Sequence, residues 1–338
     1  MAGMLAICQT GWEQQLAAEL AGLGFGLCAQ GPGWVRARSA PGDQAPEAAF
    51  AQLILPAPSE IRAASVNALA RQMLQFFAES VRAERIAAAW PCVWRGTASV
   101  AGLSRRILAV ERTFRQLLGE RLSRVSRLAS PQPPREGPAR GLFVYFTEFE
   151  CAWAARRAVF GGQRRMADDP AAPSRSYLKI EEAYGVLGRE PRPGDSVADL
   201  GAAPGGWSYS AAKRGARVIA VDRGPLKAGA HGHARITHRR EDAFGFRPAP
   251  GQVFDWLFCD LLAEPHHVLH AVVRPWLEHR WCRRFVINLK FGRADPLALL
   301  GELRAPASPF VTHATAVRIR HLYHDREEFT VVGTAGPG

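Results

Sequence analysis

Lysine is nearly missing from this chain: of 43 basic residues only Lys179, Lys213, Lys227 and Lys290 are not arginine. A guanidinium stays protonated under ordinary conditions, so an arginine surface excludes side-chain base chemistry, and each remaining lysine becomes a candidate for it. Cysteine is sparse as well. Cys8, Cys28, Cys92, Cys151, Cys259 and Cys282 are scattered without a CxxC pair, which excludes a zinc module and offers no disulfide framework. A reducing cytoplasm is therefore expected. No run reaches the roughly 18 apolar residues of a membrane helix, and the N-terminus lacks the basic-then-apolar pattern of a secretion signal. Neither a span nor a leader is expected, and no membrane partner.

What is present is a folded chain with a basic surplus. With 338 residues, 47% hydrophobic and 22% charged, two or three domains are expected rather than disorder. The net charge of +12 favours a polyanionic partner. Half of it sits in residues 105–140, where nine arginines face three glutamates. Residues 104–128 read as one amphipathic helix, with Ile107, Phe114, Leu117, Leu118, Leu122 and Val125 on the apolar side. The opposite side, with Arg105, Arg112, Arg115, Arg121, Arg124 and Arg127, is either a solvated face or, should the chain act on RNA, its candidate RNA-binding face. Arginine contacts to phosphate would give it sequence-independent affinity.

Before that helix, a strand at 4–8 and a helix at 12–23 open a small α/β subdomain, with Thr10 and Glu13 at capping-box spacing. Another helix is expected over 64–84. The proline-rich run 131–138 reads as a loop and 142–156 as a hairpin. Residues 161–176, rich in Gly, Arg, Asp and Pro, read as interdomain linker. Beyond them a helix over 177–187 precedes strands at 196–200, 217–222, 234–238, 254–260, 284–290, 313–320 and 328–332. Strands alternating with helices imply a mainly parallel, doubly wound α/β sheet.

The first of these strands runs into DLGAAPGGW, Asp199 to Trp207. Gly201 permits a tight turn, and Gly205 and Gly206 open a helix whose free N–H groups favour an anion such as a methionine carboxylate. The spacing is not the GxGxxG of dinucleotide enzymes. Asp222, 21 residues after Gly201, ends the second strand, where a carboxylate can accept from both hydroxyls of a ribose. Asp242 lies beyond the third strand, placed for an adenine amino group, and Asp260 ends the fourth.

DLGAAPGGW, followed by FCDLL and NLK, resembles the FtsJ-type ribose 2′-O-methyltransferases of the Rossmann-like S-adenosylmethionine class. SRSYLKIEEA at 174–183 and LYHDREEFTV at 322–331 are similar to the members that methylate a cytidine ribose in large-subunit (23S) ribosomal RNA. The resemblance covers residues 174–333 and implies S-adenosyl-L-methionine as cofactor. It further implies a Lys-Asp-Lys-Glu tetrad falling on Lys179, Asp260, Lys290 and Glu328, with Lys290 as proton acceptor. Ser176, Gly201, Ala203, Pro204, Gly205, Gly206, Trp207, Asp222, Asp242 and Asp260 are then the expected cofactor contacts.

The expected organisation is a ferredoxin-like subdomain at 1–60, a THUMP-like RNA-binding domain at 61–165, a linker at 166–176 and a Rossmann-like methyltransferase domain at 177–338. The partner would be 23S rRNA or an early large-subunit assembly intermediate, bound by a monomer. On chemical grounds alone, a neighbouring cation such as Lys179 and partial burial both ease Lys290 toward its neutral form. Asp260 opposes that and is better suited to holding a lysine or the acceptor hydroxyl. Glu327 faces the other way on a regular strand and is the weaker acid.

Other chemistries fit less well. The turn after the fourth strand reads Cys259-Asp260-Leu261-Leu262 rather than the Asn/Asp-Pro-Pro-aromatic of amino-group methylation. Cys259 reads as buried packing rather than a nucleophile. His266 and His270 have i, i+4 spacing, but no nearby carboxylate or cysteine is expected to complete a metal site, so no metal is expected. A base methyltransferase, or a non-catalytic RNA-binding protein with a vestigial fold, is the alternative.

Overall fold

The computed structural model describes residues 3–38 and 44–336. They form two compact units, Met1–Gly162 and Gln163–Gly338.

In the first unit β1 (Gly3–Ile7), α1 (Glu13–Gly22), β2 (Gly26–Gly31), β3 (Trp34–Arg38), β4 (Leu53–Pro56) and β5 (Ser59–Arg62) lead into α2 (Val66–Ser80). Then come β6 (Trp90–Gly96), α3 (Leu103–Arg121), α4 (Ser123–Arg127), β7 (Ala129–Ser130), β8 (Gly137–Phe146) and β9 (Cys151–Phe160). The strands make one sheet in the order β2-β3-β1-β4-β9-β8-β6-β7, with β5 also on β9. Residue 60, the expected subdomain boundary, lies inside β5, and the sheet is continuous past it.

The capping box does not form. The residue before α1 is Trp12, with no side-chain cap, and Glu13 instead accepts from the Gly11 and Gly33 backbone N–H groups. Helix α2 is capped by Ser65, whose hydroxyl accepts from the Ala68 N–H at 3.1 Å. Its Leu69, Met73 and Phe77 pack with Ile107, Val110, Phe114 and Leu118 of α3. Each such burial stabilises by about 2 kcal/mol.

The single helix expected over 104–128 is two. Leu122 leaves helical geometry at φ −137°, ψ 58°. At the end of α4 the Val125 carbonyl accepts the Leu128 N–H at 3.1 Å and the Trp90 indole N–H at 2.9 Å, rather than the N–H four residues ahead. Ala129 is thereby released to pair with Trp90 in the sheet.

The second unit begins with an irregular segment and α5 (Ser176–Leu187), which ends at Gly188 in left-handed geometry, φ +71°. Strands and helices then alternate as β10 (Ser196–Leu200), α6 (Gly206–Lys213), β11 (Arg217–Val221), β12 (Ile236–Arg239) and β13 (Phe254–Cys259). They continue as α7 (Pro265–Val268), α8 (Arg274–Glu278), β14 (Cys282–Lys290), α9 (Pro296–Arg304), α10 (Pro309–Thr312), β15 (Ala314–Arg320) and β16 (Glu328–Ala335). The sheet order is β12-β11-β10-β13-β14-β16-β15. All seven expected strands are there. The five from β12 to β14 are parallel, while β16 runs antiparallel to both neighbours.

Two consequences of this order position the site. The chain reverses direction of travel between β10 and β13, which opens a crevice at the strands' C-terminal edge. And because β16 is antiparallel, its first residue lies at that same edge: Lys290 pairs with Glu328 and Asn288 with Thr330. The core beneath, with Trp256 and Trp276 almost wholly buried, fixes these strand ends.

Candidate active site

The glycine-rich loop connects β10 to α6. Gly201 (φ +79°) lies so close to β13 that a Cβ there would sit 3.0 Å from the Asp260 carbonyl oxygen. A Cβ on Gly206 would stand 2.8 Å from Ser176 Oγ and 3.0 Å from the Tyr177 nitrogen, so the starts of α5 and α6 meet at this glycine. The Trp207 indole ties them further, donating to the Ser176 carbonyl at 2.9 Å. Asp222 shapes the loop, accepting from the Ala203 N–H at 3.0 Å and the Gly224 N–H at 2.7 Å. Asp242 is exposed and accepts from Phe244 N–H and the Arg223 guanidinium.

Asp199, buried at the end of β10, was not singled out from sequence. One of its oxygens accepts from the Ser208 hydroxyl at 2.6 Å, and the other, Oδ1, has no hydrogen-bond partner among the described residues. Burial pushes its carboxyl up to about 7. An orphaned buried acceptor beside a cradle that only glycine can line suits a ligand carrying both an ammonium and a carboxylate. The methionine end of S-adenosylmethionine has that chemistry, so the residues present fit the cofactor.

Beside the loop, five polar side chains from four elements form one chain of contacts. Lys179 of α5 pairs with Glu328. Glu328 accepts the Asn288 amide at 2.8 Å, and that amide also donates to Asp260 at 3.0 Å. Asp260 in turn accepts from Lys290, whose Nζ lies 3.9 Å from Glu328. Thr330, on the same face of β16, donates to Asp325 at 3.1 Å.

The electrostatics follow from burial against pairing. Burial alone would push Asp260 up, but the Lys290 and Lys179 charges and two hydrogen bonds outweigh it and hold the carboxyl low. Burial likewise opposes the Lys179 charge, yet Asp260, Glu328 and Asp325 prevail and keep the ammonium above its ordinary value. Asp325 is different. Buried and next to Glu328, it is pushed well above the carboxylate range. Lys179 thus stays charged, while burial and the Glu328 charge both disfavour the ionised form of Asp325.

The same groups border a cavity of about 820 Å³, lined among others by Arg175, Ser176, Lys179, Leu262, Lys290 and His324. Its far wall is the loop before β16, which Glu182 fastens. This carboxylate, wholly buried on α5, accepts from the Tyr323 and His324 N–H groups at 2.7 and 3.0 Å and from the Arg164 N–H at 3.0 Å. Burial pushes it up to about 8 despite those three donors. Glu182, Asn288 and Asp325 escaped sequence reading. The NLK and HDREEF motifs contain the last two, and only Asn288, a polar residue between Ile287 and Leu289, carried a local signal.

Other candidates resolve differently. Glu327 is exposed and precedes β16, whereas Glu328 is buried on it. Cys259 is wholly buried, which pushes its thiol up to about 12. His266 and His270 do have carboxylates beside them: Glu302 bonds His266 and lies 3.3 Å from His270, and Glu264 lies 3.6 Å from His266. Among the described residues no set of three His, Cys, Asp or Glu side chains groups as a metal site. No described helix is long and apolar enough to cross a membrane. Lys213 pairs with Asp169, away from the tetrad.

In the first unit Arg105, Arg112, Arg121, Arg124 and Arg127 are exposed and make no ion pair among the described residues. Arg115 does, bonding Glu111 at 2.7 Å.

Residues 172–277 match the FtsJ-like methyltransferase family. The chain is 33% identical over 345 residues to ribosomal RNA large subunit methyltransferase M of Halorhodospira halophila, covering 97% of this chain and 96% of that one. It is 37% identical over 254 residues to the Laribacter hongkongensis protein of the same name, covering 72% and 68%. With the Alkalilimnicola ehrlichii protein of that name it shares 46% identity over 171 residues, about half of each chain at 48% and 46%.

Proposed function

This chain belongs to the ribosomal RNA large subunit methyltransferase M family, and from that membership we propose that it transfers the methyl group of S-adenosyl-L-methionine to a ribose 2′-oxygen of a cytidine in 23S ribosomal RNA. The observation that carries the ribose assignment is the contact chain Lys179–Glu328–Asn288–Asp260–Lys290 beside the glycine-rich loop. A hydroxyl is a poor nucleophile and must lose its proton as it attacks, and this site offers an amine for the purpose.

The bound cofactor supplies an electrophilic methyl on a sulfonium. Gly201, Ala203, Pro204, Gly205, Gly206 and Trp207 form the wall that receives it, Ser176 and Asp222 flank that wall, and Asp199 offers its unpartnered oxygen to the ammonium. Asp242 serves the adenine end. Lys290, once it has released its ammonium proton to solvent, takes the 2′-hydroxyl proton as the carbon–oxygen bond forms and the carbon–sulfur bond to the departing thioether breaks. Asp260 orients Lys290 and the hydroxyl. Lys179 remains charged and holds Glu328, which with Asn288 fixes the two strand ends.

Residues 1–60 and 61–165 act as a ferredoxin-like subdomain and a THUMP-like RNA-docking domain, with 166–176 as linker and 177–338 as catalytic domain. The exposed arginines of α3 and α4 are suited to phosphates of 23S rRNA or an early assembly intermediate. The working form is a cytoplasmic monomer. Lys290→Ala should lower transfer at least about a hundredfold while leaving cofactor affinity unchanged. Nuclease digestion and mass spectrometry should place the methyl on ribose. Full activity in the variant, or a methylated base, would overturn the assignment.

A further inference from the structure

The wall of the acceptor cavity contains a hydrogen-bond donor that the protein itself leaves unused. His324 lines the cavity, and its Nε2 is bonded by the Met166 backbone N–H at 2.9 Å. An amide N–H can only donate, so Nε2 is the acceptor nitrogen and the ring proton sits on Nδ1. Burial, with Arg175 and Arg165 nearby, holds this imidazole below its ordinary value and hence neutral. Nδ1–H has no partner among the described residues. The ring is not free to turn away: Glu182 bonds its backbone and Met166 its edge.

The surroundings suit a nucleotide. Lys179, Asp260 and Lys290 are recessed, their side chains 14%, 16% and 24% exposed. Lys179 and Lys290 line the cavity, so a ribose that meets them enters it. At the rim Leu262 is 90% exposed, two residues after Asp260, and it lines the same cavity. Arg175 and Arg326 also line it and form no ion pair among the described residues. Amine and carboxylate at the base, an apolar surface and a lone N–H donor on the wall, and two unpaired guanidinium groups match a sugar, a base and its flanking phosphates.

We propose that the acceptor nucleotide enters this cavity unstacked, its base lying against Leu262 and a pyrimidine O2 accepting the hydrogen bond of His324 Nδ1–H. O2 is the base acceptor nearest the ribose 2′-oxygen and is common to cytosine and uracil. The inference rests on the ribose transfer proposed above.

The test uses the full-length protein and large-subunit rRNA transcripts carrying C, U or an abasic ribose at the mapped acceptor position. With C or U, His324→Phe should lower kcat/KM about tenfold, the cost of one unmade hydrogen bond. His324→Asn, which keeps a short N–H donor, should recover part of that loss. Leu262→Ala, at an exposed position that folding does not need, should raise KM for the C transcript several-fold. With the abasic acceptor each variant should match wild type. An equal loss with and without the base would overturn the proposal, as would undiminished activity of both His324→Phe and Leu262→Ala on the C transcript. Absence of ribose methylation by wild type on the C transcript would instead overturn the functional reading beneath it.

Discussion

The two units use cations in opposite ways. In the second, two of the four lysines are recessed and each is bound to a buried carboxylate, Lys179 to Glu328 and Lys290 to Asp260. In the first, five arginines of α3 and α4 stand exposed without an ion pair. A buried charge must be neutralised where it sits, so its position is set closely enough for chemistry. An exposed charge is met by water and keeps its long-range field for a polyanion, at the cost of selectivity.

Loss of transfer in Lys290→Ala is the largest effect expected from the paired set. Next is Lys179→Met, which removes the ion-pair partner of buried Glu328 and leaves it only the Asn288 amide and the Lys290 ammonium 3.9 Å away. It should cost about 3–5 kcal/mol of stability, read by denaturant unfolding. The pH dependence of that cost has a definite sign. Lys179 is held above its ordinary value of 10.5, so its contribution is complete below 10.5 and lost as pH rises through the higher folded value. Asp260 is held below its ordinary 3.8, so its contribution is present above 3.8 and lost as pH falls through the lower folded value. These two titrations therefore add no slope near neutrality to the difference between wild type and Lys179→Met. A difference under 1 kcal/mol would mean that the pair is effectively solvated.

For the unpaired set, neutralising Arg105, Arg112, Arg121, Arg124 and Arg127 to Gln should reduce the slope of log K against log salt by up to about 3.5 for single-stranded RNA. Transfer at saturating RNA should not change. An unaltered slope would remove these arginines from the interface.

Asp199 lies between the two cases, buried but only half satisfied. If the cofactor ammonium completes it, affinity for S-adenosylmethionine should fall by up to about tenfold per unit as pH drops below about 7, as the carboxyl protonates. Asp199→Asn should abolish that dependence in calorimetric titration. The smallest effect belongs to the paired arginine of the basic helix: Glu111→Gln should change stability by no more than about 0.5 kcal/mol. A larger loss would blur the contrast between the two units.

Much of the second unit was legible because its signals are local. DLGAAPGGW carries its own turn, and β10 occupies the expected residues 196–200. Antiparallel insertion of β16 is not local, yet it alone brings Glu328 opposite Lys290. In the first unit the amphipathic period continues across Leu122, and nothing in it announces that the chain leaves helical geometry there or that Trp90, 35 residues from Val125, takes the Val125 carbonyl at the end of α4.

By itself the sequence determined the glycine-lined loop, the alternation of strands and helices, the concentration of arginine in residues 105–140 and the rarity that made Lys179 and Lys290 conspicuous. Those are matters of composition and short-range spacing. Only the tertiary structure decided that Asn288 bridges Glu328 to Asp260, that Asp199 keeps an oxygen unspent, and that Glu182 and Met166 fix His324 with its proton on Nδ1. Each joins residues distant in sequence, and a buried polar group is held by whichever partner the packing brings within about 3 Å.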